Sequence, residues 1–116
     1  MQELIIKAIK NGGATWGELF NDITETSGYL VSLPDNERKH DINDINGVLN
    51  EVWRLQGVIQ KRQRYNMYVG LWVDGSTVYT DTSILIADKA KAIELGKLYK
   101  QKAIYDLDKQ ESIRLQ

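Results

Sequence analysis

The clearest pattern in the chain runs from Met67 to Asp106. Apolar and polar residues alternate on both sides of Asp74-Gly75, a dipeptide that tolerates positive φ at both central turn positions. Alternation with a period of two predicts β-strands, and this turn predicts that they pair as a hairpin. A lysine-rich amphipathic segment follows, which Asp88 is placed to cap as a helix, and residues 103–106 form a short apolar run. The region is therefore expected to fold as a hairpin, a helix and a further strand.

The N-terminal part of the chain predicts a short helix followed by less regular structure. Four apolar residues recur at helical spacing over residues 2–10, and Gly12-Gly13 supplies a stop. Residues 14–16 are expected to be extended. Residues 17–27 are polar except for three apolar side chains whose spacing fits a short helix, namely Leu19, Phe20 and Ile23.

The middle of the chain predicts a strand, a charged turn and a long helix. Residues 28–33 are rich in strand-forming types and stop at the only proline, which cannot continue a sheet ladder. Residues 35–40 are charged and typical of a turn. Asp41 or Asn43 can cap the helix that follows, and Gly57 is the candidate for its C-terminal end. One face of that helix is apolar and carries Ile45, Val48, Leu49, Val52, Leu55 and Ile59.

These elements predict an α+β fold. Helices interspersed with mainly hairpin-connected strands favour one domain, residues 1–116, with an antiparallel or mixed sheet of about four to six strands and two or three helices packed on it. Tyr29 and Trp72 are expected in its core. Residues 111–115 predict a last, exposed strand, which makes pairing of this edge with a second copy of the chain a further expectation.

Composition is that of an ordinary globular domain. The chain has 116 residues, of which 42% are hydrophobic, enough for one core. Fifteen basic and sixteen acidic residues give a formal net charge of -1, which argues against both a polyanion mimic and a generally basic nucleic-acid binder. Any electrostatic preference for a partner is therefore expected to be local.

The residue types that carry most metal and redox chemistry are scarce. Absence of cysteine excludes disulfides, thiolate zinc sites and cysteine nucleophiles, and suits a reducing cytoplasm. Because His40 is the only histidine, multi-histidine metal sites are excluded and a Ser-His-Asp catalytic triad is disfavoured. We expect a protein that is not an enzyme and uses no cofactor. Neither a signal peptide nor a membrane-spanning stretch is indicated, so we expect a cytoplasmic protein.

Several short motifs follow one another along most of the chain. They are Gly12-Gly13-x-Thr15, Ser27-Gly28-Tyr29-x-Val31-Ser32, Gly70-x-Trp72-x-Asp74-Gly75, Val78-Tyr79-x-Asp81-x-Ser83, then Asp88 and Ala92, and Gln101-x-Ala103-Ile104-x-Asp106. As an ordered set they resemble a group of small uncharacterised proteins of bacteriophages, prophages and plasmid-like elements, especially of Gram-positive bacteria. Residues 16–26 depart from that pattern, since such proteins more often carry a short polar loop there.

The resemblance implies a phage or mobile-element accessory protein in the cytoplasm of a bacterial host. It brings no assigned reaction and no catalytic residues. Small accessory proteins of that origin often bind and block host machinery such as CRISPR nucleases or restriction enzymes. We therefore expect a non-enzymatic inhibitor or modulator, of an anti-CRISPR-like kind, whose partner is a host protein or ribonucleoprotein complex.

A partner-binding surface is predicted from aromatic and arginine residues that are hard to place in a core. Trp16 and Phe20 sit in polar surroundings, and Trp53 lies at the flank of the apolar face of its helix. Tyrosine, tryptophan and arginine dominate binding hot spots. The predicted set is Trp16, Phe20, Trp53, Arg54, Arg62, Arg64 and Tyr65. The alternative is that the aromatic side chains form a satellite cluster under a loop.

The most concentrated basic segment offers a different function. Basic residues interleaved with an aromatic ring can bind phosphates and stack on bases, although cations near a helix C-terminus also complement its dipole. The segment carries Lys61, Arg62, Arg64 and Tyr65. The first alternative function is therefore a nucleotide or single-stranded nucleic-acid binder, whose affinity would fall steeply with salt.

Carboxylates near predicted strand ends offer a second alternative, an Mg²⁺-dependent hydrolase. Side chains converging there could hold the metal or act as an acid–base pair. The candidates are Asp74, Asp81 and Asp106. Turn and strand-end preferences of aspartate explain Asp74 and Asp106 without any chemistry, and the spacing fits no known metal loop.

Overall fold

The strands of the chain pair into one antiparallel sheet. The computed structural model describes residues 1–62 and 66–116, with Arg62 as backbone only. Within these residues lie three α-helices, α1 (Gln2–Lys10), α2 (Ile45–Arg62) and α3 (Lys89–Leu98). The same residues form seven strands, β1 (Gly13–Trp16), β2 (Tyr29–Ser32), β3 (Arg38–Asp41), β4 (Met67–Asp74), β5 (Thr77–Ile86), β6 (Ala103–Asp106) and β7 (Glu111–Arg114). The predicted α+β class is confirmed, with one strand more than the expected range.

The hairpin of β4 and β5 lies at the centre of the sheet. Hydrogen-bonded neighbours follow the order β1-β4-β5-β2-β6-β7, and β3 pairs with β5 beside β2. Asp74 pairs with Thr77, so the predicted hairpin is confirmed, but its central turn residues are Gly75 and Ser76, and only Gly75 has a positive φ, 61°. β7 lies at one edge, as predicted for a last strand. Pairing of this edge with a second copy remains a prediction.

The segment predicted as a charged turn contains a strand instead. β2 covers the second half of β5 and β3 covers its first half. Between them a 3₁₀ turn at Pro34–Asn36 interrupts the ladder, because proline has no N–H to donate. The Asn36 side chain donates to Thr82 Oγ1 over 3.1 Å and ties this turn back to β5. The prediction for residues 35–40 was wrong because charge is also typical of an exposed strand at a sheet edge.

All three helices pack on one face of the sheet, which we call the helix-covered face. Val69, Leu71 and Val78 point to it from the central hairpin. The larger core cluster lies beneath α1 and α2, and a smaller one around Val31, Ala92 and Ile104 lies beneath α3. Strand alternation sends the intervening residues to the opposite side. We call that side the second face; it carries Tyr68, Trp72, Tyr79 and Asp81.

The apolar face predicted for α2 is buried, but the helix does not end at Gly57. Val48, Val52, Leu55 and Ile59 are fully buried, and the helix runs on to Arg62. Burial of the turn after Gly57 offsets the roughly 1 kcal/mol that glycine costs inside a helix. In α3, Asp88 accepts hydrogen bonds from the N–H groups of Ala90 and Lys91, which confirms its predicted capping role.

Two helical glycines predict opposite responses to the same substitution. A Cβ at Gly57 meets no heavy atom within 4 Å, whereas one at Gly96 would lie 2.6 Å from Leu115 Cδ1 and 2.9 Å from Ile104 Cγ2. Gly57→Ala is expected to raise the free energy of unfolding by about 0.5–1 kcal/mol. Gly96→Ala is expected to lower it by about 1–3 kcal/mol through overpacking. Urea unfolding of both variants checks this prediction. Changes in the free energy of unfolding that have the same sign in both variants would contradict it.

Candidate functional site

Trp16 lies in the core rather than at the surface. Its side chain is 1% exposed, and its pairing with Val69 places it on the helix-covered face. The prediction that Trp16 contacts a partner is therefore wrong. The strand β1 extends through Trp16, so alternation buries the indole although the residues after it are polar.

Three aromatic rings lead from this core position to the surface. The centroids of Trp16 and Phe20 are 6.0 Å apart, and those of Phe20 and Trp53 are 4.8 Å apart, both pairs edge to face. Such pairs attract beyond the area that they bury. Phe20 is half-buried and Trp53 is 52% exposed. Phe20 and Trp53 therefore form the outer end of an aromatic cluster whose inner end is anchored.

The turn that carries Phe20 holds an apolar side chain outward. Leu19 and Phe20 have φ values of 56° and 60° within the 3₁₀ turn Glu18–Phe20, and Leu19 is 76% exposed. Left-handed backbone costs a residue with a Cβ about 1–2 kcal/mol. The buried Gln56 amide offsets part of this cost by donating to the Gly17 carbonyl over 2.9 Å. The sequence gives no signal for this turn, since neither residue is a glycine or an asparagine.

A groove of about 380 Å³ opens between this turn and α2. Its walls combine apolar side chains with two glutamines. We call this surface the Trp53 patch; its residues are Met1, Leu19, Phe20, Trp53, Gln56 and Gln60. Exposed apolar area gathered in one place is uncommon on monomeric proteins and marks interaction sites.

The basic residues of the predicted surface are only partly described. Arg54 is exposed, one residue along α2 from Trp53, and its guanidinium pairs with Glu51. Lys61 is exposed in the last turn of α2. Arg64 and Tyr65, and the side chain of Arg62, lie outside the described residues. The nucleic-acid alternative therefore remains a prediction from sequence.

The three candidate carboxylates of the hydrolase alternative do not converge. Asp74 pairs with Thr77 at the hairpin, whereas Asp81 lies four residues further along β5, roughly 13 Å away at ~3.3 Å per residue. Asp106 lies on β6 and pairs with Tyr29. Its carboxylate accepts from the N–H groups of Asp108 and Lys109, so it organises the turn that follows. The expected convergence is wrong because the register of the sheet separates these positions.

The second face carries a stacked aromatic pair. The Trp72 and Tyr79 rings lie 4.1 Å apart between centroids and are inclined by 8°. Trp72 is 43% exposed, so the prediction that it lies in the core is wrong, whereas Tyr29 does pack against the smaller core cluster. Lys39 lies next to the pair, with Nζ 5.6 Å from the centre of the Tyr79 ring. The prediction failed because a large aromatic ring in the middle of a strand is typical of a core, and the sequence of the strand does not show which of its faces is covered.

Asp81 is the buried ionisable group of the second face. It is 3% exposed and accepts a 2.8 Å hydrogen bond from the Ser32 hydroxyl. Burial raises the pKa of Asp81 to about 6; the charge of Glu37 adds to this, while Ser32 and Trp72 oppose it through hydrogen bonds. Gly70 lies directly opposite, and a Cβ there would be 2.5 Å from Asp81 Oδ1. The glycine thus makes room for this carboxylate.

The segment after β1 also reaches the other end of the second face. Gly17, Glu18 and residues 21–25 line, together with Tyr68, a pocket of about 550 Å³. Tyr68 is 5% exposed, and burial together with the nearby Glu25 raises the pKa of Tyr68 to about 12. The phenol therefore stays protonated at neutral pH and serves as a wall of the pocket rather than as a base.

Comparison of the chain with other proteins finds no match. No protein-family model, curated protein or solved structure matches the chain. Within residues 1–62 and 66–116, no group of three or more His, Asp or Glu side chains is arranged to hold a metal ion. Over the same residues, no helix combines the length and the apolar character that crossing a membrane requires. The two exposed aromatic surfaces are therefore the features of the molecule that bear on its function.

Proposed function

We propose that the protein is a non-enzymatic binding protein that contacts a macromolecular partner through the Trp53 patch. The observation that carries this proposal is the outward placement of Leu19, 76% exposed, beside Trp53, 52% exposed, on a turn with left-handed backbone. A sequence optimised for stability alone would avoid both the backbone cost and the apolar exposure. Burial by a partner would recover about 25 cal/mol for each Å² of this surface.

The patch has the layout of a binding hot spot. Its centre, Phe20 and Trp53, is aromatic and backed by the buried Trp16, so little side-chain entropy remains to be lost on binding. Gln60 and Arg54 stand beside this centre and supply the polar groups of a rim. Hot spots typically pair an aromatic anchor with such surroundings.

The partner that we propose is a host protein or ribonucleoprotein complex, blocked by occlusion in the manner of an anti-defence inhibitor. Support for this partner is the resemblance of the motifs to phage and mobile-element accessory proteins. The apolar character of the patch favours a protein surface over nucleic acid, because a phosphate backbone is recognised by cations. Glu51 forms ion pairs with both Arg54 and Arg38, so the guanidinium next to Trp53 already has a carboxylate partner.

Two exposed leucines allow a matched test. Leu19 in the patch and Leu98 at the end of α3 are 76% and 71% exposed. The protein and its Leu19→Asp and Leu98→Asp variants are immobilised and incubated with bacterial host lysate, with and without nuclease treatment. Leu19→Asp is expected to weaken capture of the partner about 30-fold, the effect of a hot-spot residue worth ~2 kcal/mol, and Leu98→Asp is expected to change nothing.

A photo-crosslinking amino acid at position 19 or 98 makes the result independent of the charge introduced. Covalent capture of a protein at position 19 alone supports the proposal. Equal crosslinking from both positions, or capture of nucleic acid without any crosslinked protein, would reject it; the second outcome would point to the nucleic-acid alternative.

A further inference from the structure

A row of four residues crosses the second face at the hairpin end of the sheet. Gly13 pairs with Trp72, Trp72 with Tyr79, and Tyr79 with Lys39. The two rings stack in parallel, and the Lys39 ammonium lies over the Tyr79 end of the stack. The pair thus already receives one cation on a ring face. This surface lies on the opposite side of the sheet from the Trp53 patch.

The other end of the stack is not covered from β1. The strand position next to Trp72 is Gly13, where a Cβ would lie 2.7 Å from the Leu71 carbonyl oxygen and 3.5 Å from Trp72 Cβ. Close approach of the two backbones therefore requires a residue without a side chain, and the indole remains 43% exposed. Its outer face is open to a planar or cationic group.

Carboxylates flank this row on both sides. At the turn side, Asp74 and Asp41 pair with the same residue, Thr77, and all three lie on the second face. On the other side lie Asp81 and its neighbour Glu37. Lys39 and Asp41 both lie on β3, about three strand spacings of ~4.8 Å from the outer indole face and beyond the Debye length of ~8 Å at physiological salt, whereas Asp74 lies only two residues from Trp72 on β4 itself. The charge that β4 itself places beside the outer indole face is therefore negative.

We propose that this part of the second face binds an arginine side chain of a basic segment in a protein partner. The guanidinium would stack on the outer face of Trp72, in the position that mirrors Lys39 on Tyr79, and would pair with the exposed carboxylate of Asp74 two residues along β4. The surface combines an aromatic face with negative charge, which fits a delocalised cation. A nucleic-acid strand would be repelled by the same carboxylates.

The test uses a blocked peptide, Gly-Arg-Gly-Arg-Gly, and the same peptide with neutral citrulline in place of both arginines. Binding is followed through the three indole N–H signals of the protein by NMR, each assigned with a Trp→Phe variant. The arginine peptide is expected to bind with a Kd in the millimolar range or below and to shift the Trp72 signal. The citrulline peptide is expected to bind at least tenfold more weakly.

Variants separate binding at this site from a loss of fold. Trp72→Leu is expected to weaken the arginine peptide at least tenfold. Asp74→Asn should weaken it several-fold while keeping the turn, since the central turn residues, Gly75 and Ser76, are unchanged. Tyr105→Leu, another exposed aromatic position on the second face, and Glu111→Gln on β7 are the matched controls and should leave binding unchanged.

Equal binding of the two peptides, a shift at Trp53 in place of Trp72, or no binding of either peptide would overturn the proposal. A single-stranded oligothymidine is the third probe. A Trp72 shift with this oligonucleotide that equals or exceeds the shift with the arginine peptide would also overturn it and assign the face to nucleic acid. An unchanged Trp72 signal with the oligonucleotide supports the arginine assignment.

Discussion

Replacing Trp16 with alanine is expected to lower the free energy of unfolding by about 3–5 kcal/mol. The indole is 1% exposed and is the largest of the fully buried side chains. Its removal leaves a cavity between β1 and α2 and takes away the inner partner of Phe20. A domain of this size has a total stability of about 5–15 kcal/mol, so the variant should be close to unfolding at 37 °C. Urea unfolding followed by circular dichroism measures the loss.

Trp53→Ala is the matched control for this prediction. Trp53 is 52% exposed and keeps one aromatic contact, with Phe20, so its loss should cost about 0.5–1.5 kcal/mol. The two tryptophans then separate a core role from a surface role. Similar losses for both variants would contradict the assignment of Trp53 to the surface, and a small loss for Trp16→Ala would contradict its place in the core.

The burial of Trp16 cannot be predicted from its neighbours in the sequence. The extended conformation of residues 14–16 was predicted, and alternation alone would pair Trp16 with Ala14 on one side. A strand of four residues is too short for its own pattern to decide which side is buried. The buried side of β1 is set by its partner strand β4, in which Val69 lies on the face covered by α2. Pairing across about fifty residues of sequence is invisible to a local pattern.

Long amphipathic elements were predicted well because their burial is repeated many times. The apolar face of α2 and the hairpin of β4 and β5 both follow from spacing alone. The predicted end of α2 was wrong, because Gly57 was taken as the C-terminal residue although the turn after it is buried. β3 was missed because its charged residues, Arg38 to Asp41, occupy a sheet edge, where polar side chains protect unpaired backbone.

The candidate sites were predictable only in part. Trp53 was placed correctly at the flank of its helix, because helical geometry fixes the direction of a side chain from the spacing of its neighbours. Leu19 was missed, since its exposure depends on left-handed backbone that the sequence does not indicate. The surface role of Trp72 was missed because the helices cover only one side of the sheet, and no pattern along β4 reveals which side.

Asp81 predicts a dependence of stability on pH that runs opposite to that of most aspartates. Burial penalises the charged form and raises the pKa of Asp81 in the folded protein to about 6, above its usual value of 3.8. Between these two values the folded state binds more protons than the unfolded state, so stability falls as the pH rises. The contribution is complete below pH 3.8 and is lost as the pH passes through about 6. At ~1.4 kcal/mol for each unit of pKa, the loss is about 3 kcal/mol.

Asp81→Asn should remove this dependence. The amide can turn so that its oxygen faces Trp72 and its NH₂ group donates to the Ser32 hydroxyl, which keeps the local bonding without the charge. The variant is expected to be more stable than the wild type at pH 8 and to lose that advantage towards pH 4. Urea unfolding at intervals across this range gives the difference curve, in which contributions from all other carboxylates cancel.

The control for the change of charge is Asp108→Asn, which removes an exposed carboxylate from the turn after β6. Its effect on the free energy of unfolding should be small over the same range, because substitutions at exposed positions usually change stability little. A flat curve for Asp81→Asn as well would mean that the carboxylate is ionised in the folded protein at pH 4 to 5. Asp81 would then act as a stabilising acceptor for Ser32 and Trp72, and its asparagine variant would be the less stable protein at pH 8.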